Sequence, residues 1–151
     1  MNKTILLAST NNGKTKEYQA MLDPLGYRAI NLEDIGFDQE IPEEFDDYKD
    51  NAAYKVEVIS QFYDGIIIAD DSGFEVAALD YRPGVHSARF LPELSYKEKN
   101  EYIIHQLSDK TDRSASFVCA LACLYDDLLW VSENRCYGQV AEQVKEGHGF
   151  G

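Results

Sequence analysis

Apolar positions along the chain switch between two spacings. Thr4 to Ser9 carries Ile5, Leu6, Leu7 and Ala8 in succession, the pattern of a buried strand. From Lys14 to Leu25 the pattern becomes helical, with Tyr18, Met21, Leu22 and Leu25 at i, i+3, i+4 and i+7. Pro24 and Gly26 mark the end of that helix. Tyr27 to Leu32 reads as a second strand and Leu32 to Asp46 as an acidic loop. A second helix is expected from about Asp47 to Phe62, with Tyr48, Ala52, Val56 and Ile59 on one face. Gly65 to Ala69, GIIIA, is a third buried strand that ends in Asp70-Asp71-Ser72-Gly73.

Beyond it, Phe74 to Leu79 predicts a short strand, and Tyr81 to Arg89 a loop with Pro-Gly turn chemistry. Ser95-Tyr96-Lys97-Glu98 has the Ser-x-x-Glu capping-box spacing and opens a third helix to about Leu107. Ala115 to Tyr125 is rich in strand formers, Asp126-Asp127 turns, and Leu128 to Val140 answers it, which predicts a β-hairpin. Strands alternating with helices at the front indicate an α/β fold, and 151 residues fit one domain, 1–151.

Charge narrows the function. Lys and Arg total 14 against 27 Asp and Glu, a net −13. A broad nucleic-acid surface needs clustered Lys and Arg, and none is present, so no nucleic acid is expected as a partner. Most of the acid excess is solvated surface, yet a small polyphosphate can bind such a chain through a local basic spot and a divalent cation that bridges carboxylate to phosphate. The three Cys, an odd count, and the lack of a signal-peptide pattern point to a reducing cytoplasm. Cys119 and Cys123 lie in an apolar run and read as core thiols. No run of 18 apolar residues suggests a membrane span.

Three stretches carry candidate chemistry. ASTNNGKT, Ala8 to Thr15, nearly spells the Walker A phosphate loop, with Ala8 where the first Gly would stand. A strand turning into a helix start leaves free backbone N–H groups under the positive end of the helix dipole. Asn11, Asn12 and Gly13 tolerate unusual backbone angles, Ser9 and Thr10 add hydroxyl donors, and Lys14 adds a charge. Asn-Gly alone is an ordinary turn; the full set reads as a phosphate site. IIIADDSG places two carboxylates after an apolar strand, where open α/β sheets bind ligands. The alternative is a turn with two solvated Asp. Glu40 to Ala52 supplies further carboxylates ahead of Lys55, and alone it is a solvated loop. His86 and His105 stand alone, His105 on the expected third helix as ordinary surface, and His148 has no role legible from its neighbours.

Taken together, ASTNNGKTKE, DNAAYK, ADDSGFEVAAL, RPGVHSAR and GHGFG resemble the inosine triphosphate pyrophosphatase family, in the family's order over essentially the whole chain. The resemblance implies an elongated mixed β-sheet flanked by helices and a homodimer. It implies hydrolysis of non-canonical purine nucleoside triphosphates (ITP, dITP, XTP) to the monophosphate and pyrophosphate with Mg²⁺. Carried over by motif, Ser9, Thr10, Asn11, Asn12, Gly13 and Lys14 surround the triphosphate with Lys55 nearby, Asp71 is general base and metal carboxylate, and Ser72 contacts substrate. Glu43 matches the loop carboxylate that helps hold metal, with Glu44 as its alternative, because Glu44 and Phe45 stand where the family has Thr-Gly. Phe150 matches the aromatic that packs on the purine, followed by Gly151.

The family's last motif continues Gly-Phe-Gly-Tyr-Asp-Pro and leads to a Lys and a Ser-His-Arg motif that read the 6-oxo purine. The chain stops at Gly151, which reads as a C-terminal truncation that leaves base specificity without matching residues and apolar surface uncovered. Two further functions stand beside the pyrophosphatase. One is a P-loop-like NTPase or nucleotide kinase, disfavoured by the Cβ of Ala8; the other is an inactive nucleotide-binding remnant.

Overall fold

A computed structural model describes residues 3–145. The chain divides into two compact units, residues 1–71 with 120–133, and residues 72–119 with 134–151. The strands form a mixed sheet in the order β2 (Tyr27–Ile30), β1 (Lys3–Leu7), β3 (Ile66–Val76), β5 (Ser114–Tyr125) and β6 (Leu128–Gln139), with β4 (Arg82–Gly84) added against β3.

The first unit holds β1 (Lys3–Leu7), α1 (Asn12–Leu22), β2 (Tyr27–Ile30) and α2 (Tyr48–Ile59). β1 pairs in parallel with β2 on one side and with the start of β3 (Ile66–Val76) on the other. These strands read as unbroken apolar runs because both of their faces are covered: Leu6, Leu7, Ile67 and Ala69 are all essentially inaccessible. Ile5, Leu7 and Ile68 form one cluster, closed by Tyr18 and Leu22 of α1. The other two residues expected on that helix face are not in it. Met21 is 67% and Leu25 65% exposed, and the helix ends at Leu22 in a 3-10 turn, Asp23–Leu25, with Pro24 in its first turn. The stripe expected on α2 is buried in full: Tyr48, Ala52, Val56 and Ile59. Two polar residues, Asn51 and Lys55, share that buried stripe.

β3 differs most from the sequence expectation. Asp70-Asp71-Ser72-Gly73 is not a turn between two strands; Ile66–Val76 is one continuous strand. Both Asp are buried in mid-strand, so the solvated-turn alternative is overturned. The strand persists because its later residues have a partner: Phe74, Glu75 and Val76 pair antiparallel with β4 (Arg82–Gly84), inside the stretch expected to be loop.

In the second unit, α3 (Tyr96–Gln106) begins at the expected capping box, with the Ser95 hydroxyl accepting from the Glu98 N–H and the Glu98 carboxylate accepting from the Ser95 N–H. Its Ile103 packs with Val76, Leu107 and Ala115. His105 is exposed, as expected.

The hairpin β5 (Ser114–Tyr125) and β6 (Leu128–Gln139) forms as expected. Asp126 and Asp127 both take positive φ, 48° and 60°, the requirement of a two-residue hairpin turn whose twist matches its strands. Along β5 the even positions Ser116, Val118, Ala120 and Ala122 point inward. The strand period therefore turns Cys119 out, and it is exposed rather than a core thiol; Cys123 is half-buried. No helix among the described residues is long and apolar enough to cross a membrane.

Candidate active site

The site lies in the first unit, at the end of β1 and along the last residues of β3 in that unit. Successive residues of a strand face opposite sides, so Asp70 and Asp71 diverge. Asp70 lies on the side of Ile66 and Ile68, where α1 packs, and its Oδ2 accepts from Lys14 Nζ at 2.6 Å. Its Oδ1 is buried with no hydrogen-bond donor among the described residues. Asp71, 4% exposed, meets α2 instead: Asn51 Nδ2 donates to its Oδ2 at 2.9 Å.

Lys55 lies one helical turn after Asn51, on the same stripe. Its ammonium donates to the Asp70 main-chain carbonyl at 3.0 Å and forms an ion pair with Glu43. Of the two loop carboxylates considered, Glu43 is thus the one drawn into the site, while Glu44 is exposed. Burial pushes the Asp71 carboxyl above its ordinary value near 3.8. The Asn51 hydrogen bond opposes that, the nearby Glu43 charge adds to it, and Lys55 and Lys14 pull it back.

The opening turn is built differently from expectation. Asn11 is extended (φ −76°, ψ 103°) and Asn12 and Gly13 are the first residues of α1, so none of them uses a left-handed angle. The Asn11 side chain caps the helix, accepting from the N–H of Gly13 at 2.9 Å and of Lys14 at 3.2 Å. The Ser9 hydroxyl accepts from the Asn11 N–H at 3.0 Å. Those backbone donors are therefore already matched, and an anion would displace the Asn11 cap to reach them. Asn12 Oδ1 accepts from Asn31 Nδ2 at 3.1 Å. Thr10 is exposed, and Ser72 is exposed on β3. Phe150, Gly151 and His148 lie outside the described residues. A cavity of about 190 Å³ opens between Ala8, Ser9 and Thr10 on one side and Glu40, Ile41 and Glu43 of the acidic loop on another, with Lys55 in its wall.

Asn51 was not among the residues the sequence marked for chemistry. The signal was there: an Asn inside a helix, in line with the apolar stripe and four residues before Lys55. Such residues are neutral or unfavourable in helix interiors unless they bond something specific.

Among the described residues, no group of three or more His, Cys, Asp or Glu side chains is gathered as a metal site. Mg²⁺ does not need one. It binds through one or two carboxylates and keeps waters and substrate phosphates as its other ligands. Asp71 and Glu43, hard oxygen donors close enough that the Glu43 charge adds to the upward shift of Asp71, fit that requirement.

The Ham1 family profile matches residues 5–151. The chain belongs to the Ham1 family. It is 40% identical over 157 residues to a dITP/XTP pyrophosphatase of Bacillus licheniformis, a match that spans 99% of this chain and 78% of that protein. A dITP/XTP pyrophosphatase of Bacillus subtilis is 36% identical over 153 residues, spanning 99% and 77%. Among solved structures, the Ham1 protein of Staphylococcus aureus superposes with a TM-score of 0.84 at 31% identity, covering 99% of this chain and 78% of that one. The Coxiella burnetii HAM1 protein gives 0.86 at 29%, with the same coverage. The mixed sheet flanked by helices is the fold of this family, and the resemblance read from the sequence motifs is borne out.

Proposed function

We propose that this Ham1 chain hydrolyses non-canonical purine nucleoside triphosphates, dITP, XTP and ITP, to the monophosphate and pyrophosphate, in the cytoplasm and as a homodimer. The observation that carries the reading is the buried Asp71 carboxylate, held by the Asn51 amide and close enough to Glu43, Lys55 and Lys14 to feel their charges, with Glu43 and Lys55 in the wall of the cavity beside Ser9 and Thr10. Names of relatives agree with it.

In this reading Asp71 accepts the proton of the attacking water. In the metal-free chain burial holds its carboxyl above the ordinary value, and a carboxylate positioned beside the water is what general-base catalysis requires. Lys14 and Lys55 leave Asp70 and Glu43 for the phosphates, an exchange of one anionic partner for another. The start of α1, Ser9 to Gly13, receives the phosphate chain, and Ser72 contacts substrate. Glu43 and Asp71 would hold Mg²⁺, which when bound would acidify water and offset the charge of the phosphates. Phe150 and Gly151 border the purine.

Phosphorus NMR of the chain with dITP and Mg²⁺, with ATP in parallel, tests the reading. Pyrophosphate and monophosphate from dITP, and little product from ATP, are expected. Orthophosphate would move the chain to the P-loop class of reaction. No product from a folded chain would make it a binding remnant.

A further inference from the structure

We propose that Asn51 is a positioning residue that sets Asp71 and the Glu43-bearing loop as one unit. This rests on the reading of Asp71 and Glu43 given under Proposed function. A carboxamide offers two N–H donors and a carbonyl acceptor, and here each is used on a different element. Nδ2 donates to Asp71 Oδ2 at 2.9 Å and to the Phe45 main-chain carbonyl at 3.0 Å. Oδ1 accepts from the Phe45 N–H at 3.1 Å. The residue is 1% exposed, so water does not substitute for these bonds.

The main chain at Phe45 is therefore gripped at both of its polar groups, as a neighbouring strand would grip it. Phe45 follows Glu43 by two residues. Two further contacts fix the same segment to α2: the Phe45 ring packs edge-on to Tyr54, centroids 5.5 Å apart, and the Asp47 carboxylate caps the helix at Lys49 and Asp50. Glu43 itself ends on Lys55, one turn along the helix from Asn51. Of these contacts, those of Asn51 are the ones that tie the loop directly to the Asp71 carboxylate.

No other side chain meets this demand at the same length. Asp lacks the donors and adds a charge beside Asp71; Ser and Ala are too short to span; Leu fills the volume and makes none of the bonds. Residues that orient metal-binding carboxylates without touching the metal cost about 10–100-fold in metal affinity or activity when lost.

The test compares wild type with Asn51→Leu. Mn²⁺ binding to the substrate-free chain is read by electron paramagnetic resonance, and kcat and KM are read with dITP. The expected result is Mn²⁺ affinity lower by about 10–100-fold, with kcat falling more than KM rises. A folded Asn51→Leu chain with wild-type Mn²⁺ affinity, even one of lower melting temperature, would overturn the proposal and leave Asn51 a purely structural residue. A wild-type chain that turned over no dITP would remove the pyrophosphatase reading, and the Mn²⁺ comparison would still decide on Asn51. If Asn51→Leu does not fold, NMR of the wild-type chain decides. Mg²⁺ should shift the Asn51 side-chain amide and the Phe45 N–H along one common binding curve. Signals that ignore Mg²⁺ would overturn the inference.

Discussion

On the α1 face of β3 the Asp70 carboxylate meets an ammonium group, and on the α2 face, one residue further, the Asp71 carboxylate meets a carboxamide. The first arrangement is exchangeable. Lys14 is a flexible, partly exposed point charge, and any anion at the start of α1 competes with Asp70 for it. The second is fixed. Asn51 is enclosed, its donors are all engaged, and the carboxylate it holds stays in a less solvated place than an ion prefers. The proposed reaction, which captures phosphate on one side and activates water on the other, calls for both behaviours, and a strand supplies them by alternation alone.

The largest effect should come from Asp71→Asn. The side chain keeps its shape, and its carbonyl oxygen can still accept from Asn51. Loss of the proposed base should cut turnover of dITP by about 10²-fold or more, with the fold intact by circular dichroism. A folded variant turning over at the wild-type rate would take Asp71 out of the mechanism. The same variant sharpens the electrostatic contrast. Because the Asp71 pKa is raised in the folded chain, folding favours its protonated form. That contribution is full below the unfolded value near 3.8 and is lost as pH rises through the raised folded value. With divalent cations chelated, Asp71→Asn should therefore gain stability over wild type as pH climbs above about 3.8, and the gap should level off once Asp71 is fully ionised. Urea denaturation across this range that showed a constant gap would contradict the burial argument.

Next comes Lys55→Met, which keeps the stem and removes the charge. It leaves Glu43 and the Asp70 carbonyl without their ammonium partner beside the buried Asp71. Stability should fall by about 2 kcal/mol, less than for a wholly enclosed pair because Glu43 is partly exposed. The KM for dITP should rise as well. Lys14→Met should cost less stability, since its ammonium reaches water, while raising KM comparably. Equal stability losses from the two variants would erase the distinction drawn between the two faces.

How much of this could be read along the chain follows from which forces are local. The buried stripe of α2, the capping box at Ser95 and the Asp126-Asp127 hairpin were legible because each depends on spacing within a few residues. Asp70-Asp71-Ser72-Gly73 was expected to end the strand, with a solvated turn as the alternative, because those residue types favour turns. They stay extended because Asp70 and Asp71 find Lys14 and Asn51, residues 56 and 20 positions away, and because β4 pairs just beyond. Cys119 was misplaced by its apolar character, although the period of β5 assigns it outward. The site motifs were visible as residue types; which lysine meets which carboxylate, and that Asn51 meets Asp71, needed the fold.

The smallest effect expected is that of Asn11→Ala, and it bears on the exchangeable face. The Asn11 side-chain oxygen Oδ1 accepts from the N–H groups of Gly13 and Lys14, the first amides that an incoming phosphate would seek. Removing it deletes a helix N-cap, which should lower stability by about 1 kcal/mol. It also frees those two donors. If the cap is only structural, the loss of order at the start of α1 should weaken pyrophosphate binding along with stability. If instead Asn11 holds the donors until an anion displaces it, pyrophosphate should recover most of the lost stability. Its stabilising effect on Asn11→Ala would then exceed that on wild type, because no bond is broken on binding. Thermal melts of both proteins over a pyrophosphate titration separate the two, and a smaller shift in the variant would mean that the turn is not an exchangeable cradle at all.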